Sequence, residues 1–137
     1  LISHQRRGEN ITIDLDIEDG LPPVNADGGQ IQQAVIALAT NAIDAMPEGG
    51  TLAFKAFAGN RRVSVEISDT GVGIPTENMS KIFEPFFTTK DVGKGTGLGL
   101  AVCYGIITDH GGRLSVRSNV GKGTTFTIAL PVVKRLA

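Results

Sequence analysis

The sequence predicts an α+β fold, a two-layer sandwich in which a mixed, mostly antiparallel sheet of about five strands packs under three helices. Five segments alternate apolar and polar residues with a period of two, which is typical of half-buried strands. Three other segments repeat apolar residues at helical spacing. Because such a sheet needs to bury only one face, helices on that face complete the core, and 137 residues suffice for one domain of this kind.

The composition is that of an ordinary globular protein, with 41% hydrophobic and 20% charged residues. Lys and Arg number 13 and Asp and Glu 14, and the net charge of −1 argues against a general nucleic-acid binder. No apolar run approaches the roughly 20 residues of a membrane-spanning helix, so we expect no membrane contact by this domain. The expected location is cytoplasmic. The single cysteine, Cys103, lies in an apolar helical pattern and is interpreted as a buried structural thiol in a reducing compartment.

The first predicted strand begins at Ile11. Residues 1–10 show no strand pattern and are interpreted as the end of a preceding helix or as a linker. The apolar residues on one side of the strand are Ile11, Ile13, Leu15 and Ile17. Acidic residues dominate the other side, so the alternation predicts a half-buried strand with a solvated acidic face. Two prolines keep residues 21–24 extended.

The first predicted helix begins at Asp27, whose side chain can cap it in a capping box with Gln30. Its apolar residues are Ile31, Val35, Leu38, Ala42 and Ala45. Helix-breaking residues at 46–50 end it. Asn41 lies about 80° from the centre of the apolar face, on the margin between buried and solvated positions. A polar amide at such a margin is either a satisfied edge group or a ligand, and the pattern alone leaves both readings open.

The next two predicted strands, residues 51–58 and 61–69, form a hairpin through a short connection at residues 59–60. Asp69 ends the second strand and precedes a glycine-containing segment, residues 70–75. A carboxylate in this position can accept hydrogen bonds from a flat ligand that approaches the bare backbone closely. The alternative is an Asx-turn that only closes the strand.

A glycine-rich segment follows a short helix predicted over Thr76–Phe83, which its first residue would cap. Glycine occupies every second position from Gly93 to Gly99, and a helix predicted over Leu98–His110 begins there. Unshielded backbone N–H groups at a helix start, with Lys90 and Lys94 nearby, suit a phosphate chain. The spacing matches neither a P-loop nor a dinucleotide fingerprint, and a flexible surface loop is the alternative.

Two final strands are predicted over Arg113–Ser118 and Gly123–Leu130, with a turn between them. His110, beside a glycine pair, is interpreted as a helix-end residue rather than a metal ligand. The loops expected to meet at one end of the sheet are residues 69–75, 88–99 and 119–124.

Five segments stand in a definite order along the chain. They are Ala37–Ala45 with Asn41 at its centre, Asp69-x-Gly71-x-Gly73, Phe83–Lys90, Gly93–Leu100 and Gly121-x-Gly123-Thr124. In this order they resemble the catalytic and ATP-binding domain of sensor histidine kinases, in the GHKL superfamily with gyrase B, Hsp90 and MutL ATPases. The resemblance covers the chain from about residue 11 to residue 131, is most similar to nitrogen-regulator-type kinases, and implies a Bergerat-type fold.

The resemblance implies that the chain binds ATP and Mg²⁺ for transfer of the γ-phosphoryl group. Asp69 would accept the adenine amino group, and Thr124 would support the same contact through water. Asn41 would be the magnesium ligand and would act in catalysis together with Lys90. The residues implied to contact the nucleotide are Asn41, Asp44, Ala45, Asp69, Gly71, Gly73, Ile74, Phe83, Thr88, Thr89, Lys90, Lys94, Gly95, Thr96, Gly97, Leu98, Gly99, Leu100 and Thr124.

This chain departs from the family pattern at two points. Hydrolytic members carry a water-activating glutamate, and many histidine kinases a second asparagine, at the position occupied here by Ala37, which favours phosphotransfer over hydrolysis. The phosphoacceptor pattern is missing, because the sequence around His4 does not match it and His110 lies in a turn. We therefore expect residues 1–10 to be a remnant of the dimerisation-helix linker and residues 11–137 to form the ATP-binding domain.

The partners implied by the resemblance are ATP, the acceptor-histidine dimerisation domain of the same kinase, and the receiver domain of a response regulator. Two other functions stay open at this point. The chain could be a nucleotide-sensing module that binds ATP without transferring phosphate, or a serine kinase that acts on a regulatory protein. The complete Phe83–Lys90 segment, with its paired Thr88 and Thr89, argues against the serine kinase.

Overall fold

The five strands form one mixed sheet. The computed structural model describes residues 10–85, 87 and 98–133. The strands are β1 (Ile11–Ile17), β2 (Gly50–Gly59), β3 (Arg62–Asp69), β4 (Arg113–Asn119) and β5 (Gly123–Pro131), and they lie in the order β1-β2-β3-β5-β4. β1 runs parallel to β2, and every other neighbouring pair is antiparallel. The predicted mixed, mostly antiparallel sheet is confirmed.

Two α-helices, α1 (Gly28–Asp44) and α2 (Gly99–Asp109), pack against each other and against the sheet. Three helices were predicted, and the prediction of a helix over residues 76–83 is wrong. The structure has a single 3₁₀ turn, Thr76–Asn78, whose N-cap is Pro75 and which receives no side-chain cap. An eight-residue segment without a cap leaves too many orphan N–H groups to hold an α-helix, and short segments of this kind commonly form 3₁₀ turns.

The start of α1 is joined to the end of α2. The side chain of Asp27 caps α1 as predicted, since its Oδ1 accepts the Gln30 backbone N–H at 3.1 Å. The other half of the expected capping box is replaced, because the Asp27 N–H donates to Nε2 of His110 at 3.0 Å. Nδ1 of His110 lies 2.7 Å from the Ile106 carbonyl oxygen, so the ring proton is on Nδ1 and Nε2 is the acceptor. His110 is the C-cap of α2, as the sequence predicts.

The apolar side of β1 is exposed, which contradicts the half-buried strand predicted from its alternation. Ile13, Leu15 and Ile17 are 60%, 70% and 55% exposed, and only Ile11 is partly buried. The helices pack on β2, β3 and β4, whereas β1 pairs at the sheet edge with β2. Alternation identifies the two faces of a strand correctly, but it does not say how far the helical layer extends over the sheet.

The β2–β3 turn lies one residue later than predicted. Gly59 belongs to β2, where it pairs with Arg62, and the two turn residues are Asn60 and Arg61. Both have positive φ, 53° and 62°, which is the backbone of a type I′ hairpin turn. Asn tolerates this conformation well, whereas the arginine gives no local signal for it, and that explains the displaced boundary.

The core lies between the sheet and the two helices. Its largest fully buried side chains are Phe126, Leu38, Ile67, Ile107, Ile128 and Cys103. The predicted buried thiol is confirmed, and burial raises the pKa of Cys103 to about 12. None of the helices in the described residues has the length and apolar character needed to cross a membrane.

Candidate nucleotide-binding site

Three polar side chains form a row across the end of the sheet. Asp69, at the end of β3, pairs in register with Thr124 at the start of β5, and Thr124 pairs with Ser118 near the end of β4. Each one continues the series of apolar positions in its strand at a spacing of two, so each lies on the face that packs against the helices. Asp69 and Thr124 are only 7% and 4% exposed. We name these three residues the polar row.

Asp69 is held by two backbone donors. Its Oδ1 accepts the N–H of Gly71 at 2.9 Å and the N–H of Thr124 at 3.2 Å. Burial is the largest influence on the carboxyl group and raises its pKa, while the two hydrogen bonds lower it. The bond from Gly71 is the Asx-turn that the sequence left open, and the carboxylate closes the strand as well as presenting its other oxygen.

The second oxygen of Asp69 is available to a ligand. Both hydrogen bonds end on Oδ1, and within the described part of the chain no group donates to Oδ2. Since no buried side-chain oxygen of the described residues lacks a partner, Oδ2 must be accessible to solvent. An accessible carboxylate oxygen on a buried, fixed side chain is an acceptor for an amino group. This hydrogen-bond acceptor therefore fits the amino group of an adenine base.

The segment after Asp69, residues 70–75, is fastened on two sides. The N–H of Val72 donates to the carbonyl of Ala45 at the end of α1, at 3.0 Å. The carbonyl of Val72 accepts the N–H of Gly121 in the β4–β5 turn at 2.8 Å, and the N–H of Ile74 donates to Oγ of Ser118 at 2.7 Å. Two of the three loops expected to meet at this end of the sheet do meet. The third, residues 88–99, lies almost wholly outside the described residues.

Gly71 and Gly73 are required by close backbone contacts within the protein. A Cβ at Gly71 would overlap the carbonyl oxygen of Ala45, and one at Gly73 would overlap the carbonyl oxygen of Asn119. Gly73 also has a φ of 79°, which favours glycine. These glycines let the loop approach α1 and the β4–β5 turn. Contact between Gly73 and the base remains a prediction.

Asn41 and Asp44 lie in the last turn of α1, both partly buried, as expected for the margin of its apolar face. The Ala45 N–H donates to the Asn41 carbonyl at 3.1 Å, and Ala45 is also the residue that contacts the segment after Asp69. The structure thus brings the Asn41 turn next to the polar row. Ala37, one turn earlier, is partly buried and packs against the core.

The described residues hold no cluster of three or more His, Cys, Asp or Glu side chains that could bind a metal ion alone. This donor set still fits Mg²⁺ bound together with a nucleotide. Mg²⁺ keeps several waters and commonly takes one or two protein ligands plus phosphate oxygens. The side-chain oxygen of Asn41 remains the predicted protein ligand, and an amide oxygen is a hard ligand of the kind that Mg²⁺ accepts.

Phe83 packs over the core rather than standing alone. Its ring stacks on Tyr104 of α2 with centroids 5.2 Å apart, and it meets Phe126 of β5 edge-on at 6.3 Å. Leu98 and Gly99 are exposed where α2 begins, and Leu100 is partly buried. The predicted site residues outside the described part of the chain are Thr88, Thr89, Lys90, Lys94, Gly95, Thr96 and Gly97.

Sequence reasoning missed Ser118. A signal was present, because Leu114, Val116 and Ser118 alternate along β4 and share one face. A polar residue at the end of an otherwise apolar face has to find a partner or a ligand. The same pattern occurs at Asp69 and at Thr124.

Comparison with known proteins identifies the family. Residues 26–134 match the family described as histidine kinase-, DNA gyrase B-, and HSP90-like ATPase. Sensor kinase CckA of Brucella abortus is 49% identical over 139 residues, which cover 90% of this chain and 15% of that protein. Sensor histidine kinase ZraS of Escherichia coli is 39% identical over 132 residues, which cover 96% of this chain and 28% of that protein. The chain thus spans less than a third of these relatives.

Solved structures agree with this match. The catalytic domain of histidine kinase ThkA, in a nucleotide-free form, superposes with a TM-score of 0.78 at 37% identity, over 90% of this chain and 81% of that one. Full-length ShkA in complex with AMPPNP gives a TM-score of 0.80 at 31% identity, over 93% of this chain and 27% of that one. The chain therefore belongs to the histidine kinase-, DNA gyrase B- and HSP90-like ATPase family, and within it to the catalytic domains of histidine kinases.

Proposed function

We propose that this chain binds Mg-ATP and donates the γ-phosphoryl group to a histidine on a separate dimerisation domain. The observation that carries the proposal is the accessible Oδ2 of Asp69, held in place beside Thr124 and next to the Asn41 turn of α1. The similar protein ShkA was solved with AMPPNP, a nucleotide of the expected kind.

Asp69 would select adenine by accepting the amino group of the base. An ionised carboxylate only accepts hydrogen bonds, so it suits the amino group of adenine and disfavours the oxo group that guanine carries at the same position. Thr124 would support this contact through water. Gly71, Gly73, Ile74 and the other residues that the resemblance implies would line the rest of the nucleotide site.

Asn41 would hold the Mg²⁺, which supplies charge neutralisation at the phosphates. Lys90, Lys94 and the backbone N–H groups of residues 97–99 would bind and orient the triphosphate. With the γ-phosphorus held in line with its acceptor, positioning and charge stabilisation would account for most of the catalysis. Asn41 and Lys90 are the residues that we propose for the catalytic role.

Ala37 supports transfer to a side chain rather than to water. Its methyl group cannot accept a proton, so it cannot activate a water molecule for attack on the γ-phosphate. A histidine nucleophile on another domain does not need this base. We further propose that the receiver domain of a response regulator takes the phosphoryl group from that histidine, and that these reactions take place in the cytoplasm, where ATP is the donor.

The test is a transfer reaction. The chain is mixed with a separately produced acceptor-helix domain of a histidine kinase and with ATP labelled at the γ-phosphate. We expect label on the acceptor domain that is lost in acid and kept in alkali, as for phosphohistidine, and less label with the Asp69→Asn variant at ATP concentrations below saturation. Binding of ATP without transfer would instead indicate a nucleotide-sensing module.

A further inference from the structure

The Ser118 hydroxyl connects three parts of the site. Its Oγ accepts the Ile74 N–H at 2.7 Å, donates to the Gly123 carbonyl at 3.0 Å, and lies 2.8 Å from Oγ1 of Thr124. Ser118 is therefore the member of the polar row that joins the loop after Asp69 to the start of β5.

Only one assignment of the two hydroxyl protons satisfies these contacts. A carbonyl oxygen cannot donate, so the single proton of Ser118 lies toward Gly123. The contact between the two hydroxyls then requires the proton of Thr124, which donates to Ser118. Ser118 thereby uses its one donor and both of its acceptor positions. Thr124 has no proton left to donate elsewhere.

We propose that Ser118 is a specificity-determining positioning residue, which fixes the Thr124 hydroxyl as a hydrogen-bond acceptor toward the base-binding position. Thr124 lies between Ser118 and Asp69 in the polar row, so its remaining lone pairs are left on the Asp69 side. Together with the carboxylate, this edge of the site offers acceptors only. An amino group, directly or through a bound water, matches such an edge, and an oxo group does not. The inference rests on the ATP binding proposed above.

Ser118 also anchors the loop through Ile74, and losing that bond would weaken every nucleotide alike. The informative quantity is therefore the ratio of two affinities. ATP and ITP suit this comparison, because ITP carries an oxo group in place of the amino group on an otherwise similar purine. A general disturbance of the loop weakens both nucleotides and leaves the ratio of their affinities unchanged. A Thr124 proton that is free to donate to the oxo group of ITP changes this ratio.

The experiment measures dissociation constants for Mg-ATP and Mg-ITP by calorimetry. We expect the parent to prefer ATP, and we expect Ser118→Ala to reduce this preference about fivefold, the effect of one neutral hydrogen bond, because Thr124 can then donate to the oxo group. Ser118→Thr, which keeps the hydroxyl, should restore the parent ratio. Ser115→Ala, an exposed position on the same strand, should leave it unchanged.

An unchanged ATP/ITP ratio in Ser118→Ala would overturn the inference, even if both nucleotides bound more weakly. In a Thr124→Val background the Ser118→Ala change should no longer alter the ratio, and a further change there would also overturn it. If Ser118→Ala proves unfolded by circular dichroism, Ser118→Cys, with its weak hydrogen-bonding thiol, carries the same comparison. If the parent binds no adenine nucleotide, the proposed function itself fails, and the parent titration alone reveals this.

Discussion

The backbone N–H of Thr124 donates to Oδ1 of Asp69 at 3.2 Å across the β3–β5 strand pair. Gly71 donates to the same oxygen from the loop that follows, so the carboxylate is held by donors on both sides. The orientation of Oδ2 is therefore set by the fold before any ligand arrives. Such preorganisation lowers the ordering cost of binding.

Asp69→Asn should weaken ATP binding by about 10-fold or more. The amide can keep its oxygen at the Oδ1 position, where it accepts both N–H groups, and this places an NH₂ group where the ligand needs an acceptor. Loss of a hydrogen bond to a charged group costs about 1.5–3 kcal/mol. Calorimetric titration with Mg-ATP measures the change, and the exposed Asp109→Asn variant is the control. An unaltered affinity for Mg-ATP would show that Asp69 does not contact the nucleotide.

The same variant should gain stability relative to the parent as pH rises. Burial raises the pKa of Asp69 above its usual value of 3.8 despite the hydrogen bonds from Gly71 and Thr124. The stability contributed by the protonated form is fully present below the unfolded-state value and is lost as pH rises through the raised folded-state value. Chemical denaturation from about pH 3 to about pH 8 should show the difference between Asp69→Asn and parent growing with pH. A difference that shrinks would contradict the burial argument.

Gly71→Ala should destabilise the protein by about 1–3 kcal/mol, because the new Cβ would overlap the Ala45 carbonyl. Gly105→Ala is the matched control. Gly105 lies inside α2 with open space at its Cβ position, so alanine there should add about 0.5–1 kcal/mol of stability through helix propensity. The free energies of unfolding of the two variants, measured with denaturant, should change in opposite directions. An unchanged free energy of unfolding in Gly71→Ala would mean that the loop does not lie against α1.

Asn41→Ala should remove the magnesium dependence of ATP binding. A direct ligand should cost at least about 10-fold, since changes to outer-shell partners of metal sites already cost this much. Stability should change by less than about 0.5 kcal/mol, because the side chain lies at the margin of α1. Titrations with Mg²⁺ and with EDTA, using the exposed Thr40→Ala variant as control, measure both effects. Parent-like Mg-ATP binding in Asn41→Ala would disprove this role.

Local patterns predicted the features that depend on neighbours in sequence. The Asp27 cap, the half-buried margin at Asn41 and the type of nearly every element follow from periodicity and capping chemistry. The exposure of β1 could not be predicted, because the extent of the helical layer over the sheet is a property of the packed domain. The 3₁₀ turn replaced a helix because its segment is too short and uncapped to support one.

Long-range contacts could not be predicted from local patterns either. The bond from the Asp27 N–H to His110 joins residues 83 positions apart, and no pattern in either segment indicates it. The polar row depends on the register of three strands, which is decided by packing across the sheet. Alternation does place Asp69, Thr124 and Ser118 each at the end of an apolar face. A polar residue in that position is a usable signal for a site in other chains.

Calorimetric titration of the parent chain with ATP in the presence of Mg²⁺ tests the central claim most directly. We predict saturable one-site binding that weakens when Mg²⁺ is removed by EDTA. No measurable heat with any adenosine phosphate, for a chain shown to be folded, would contradict the account.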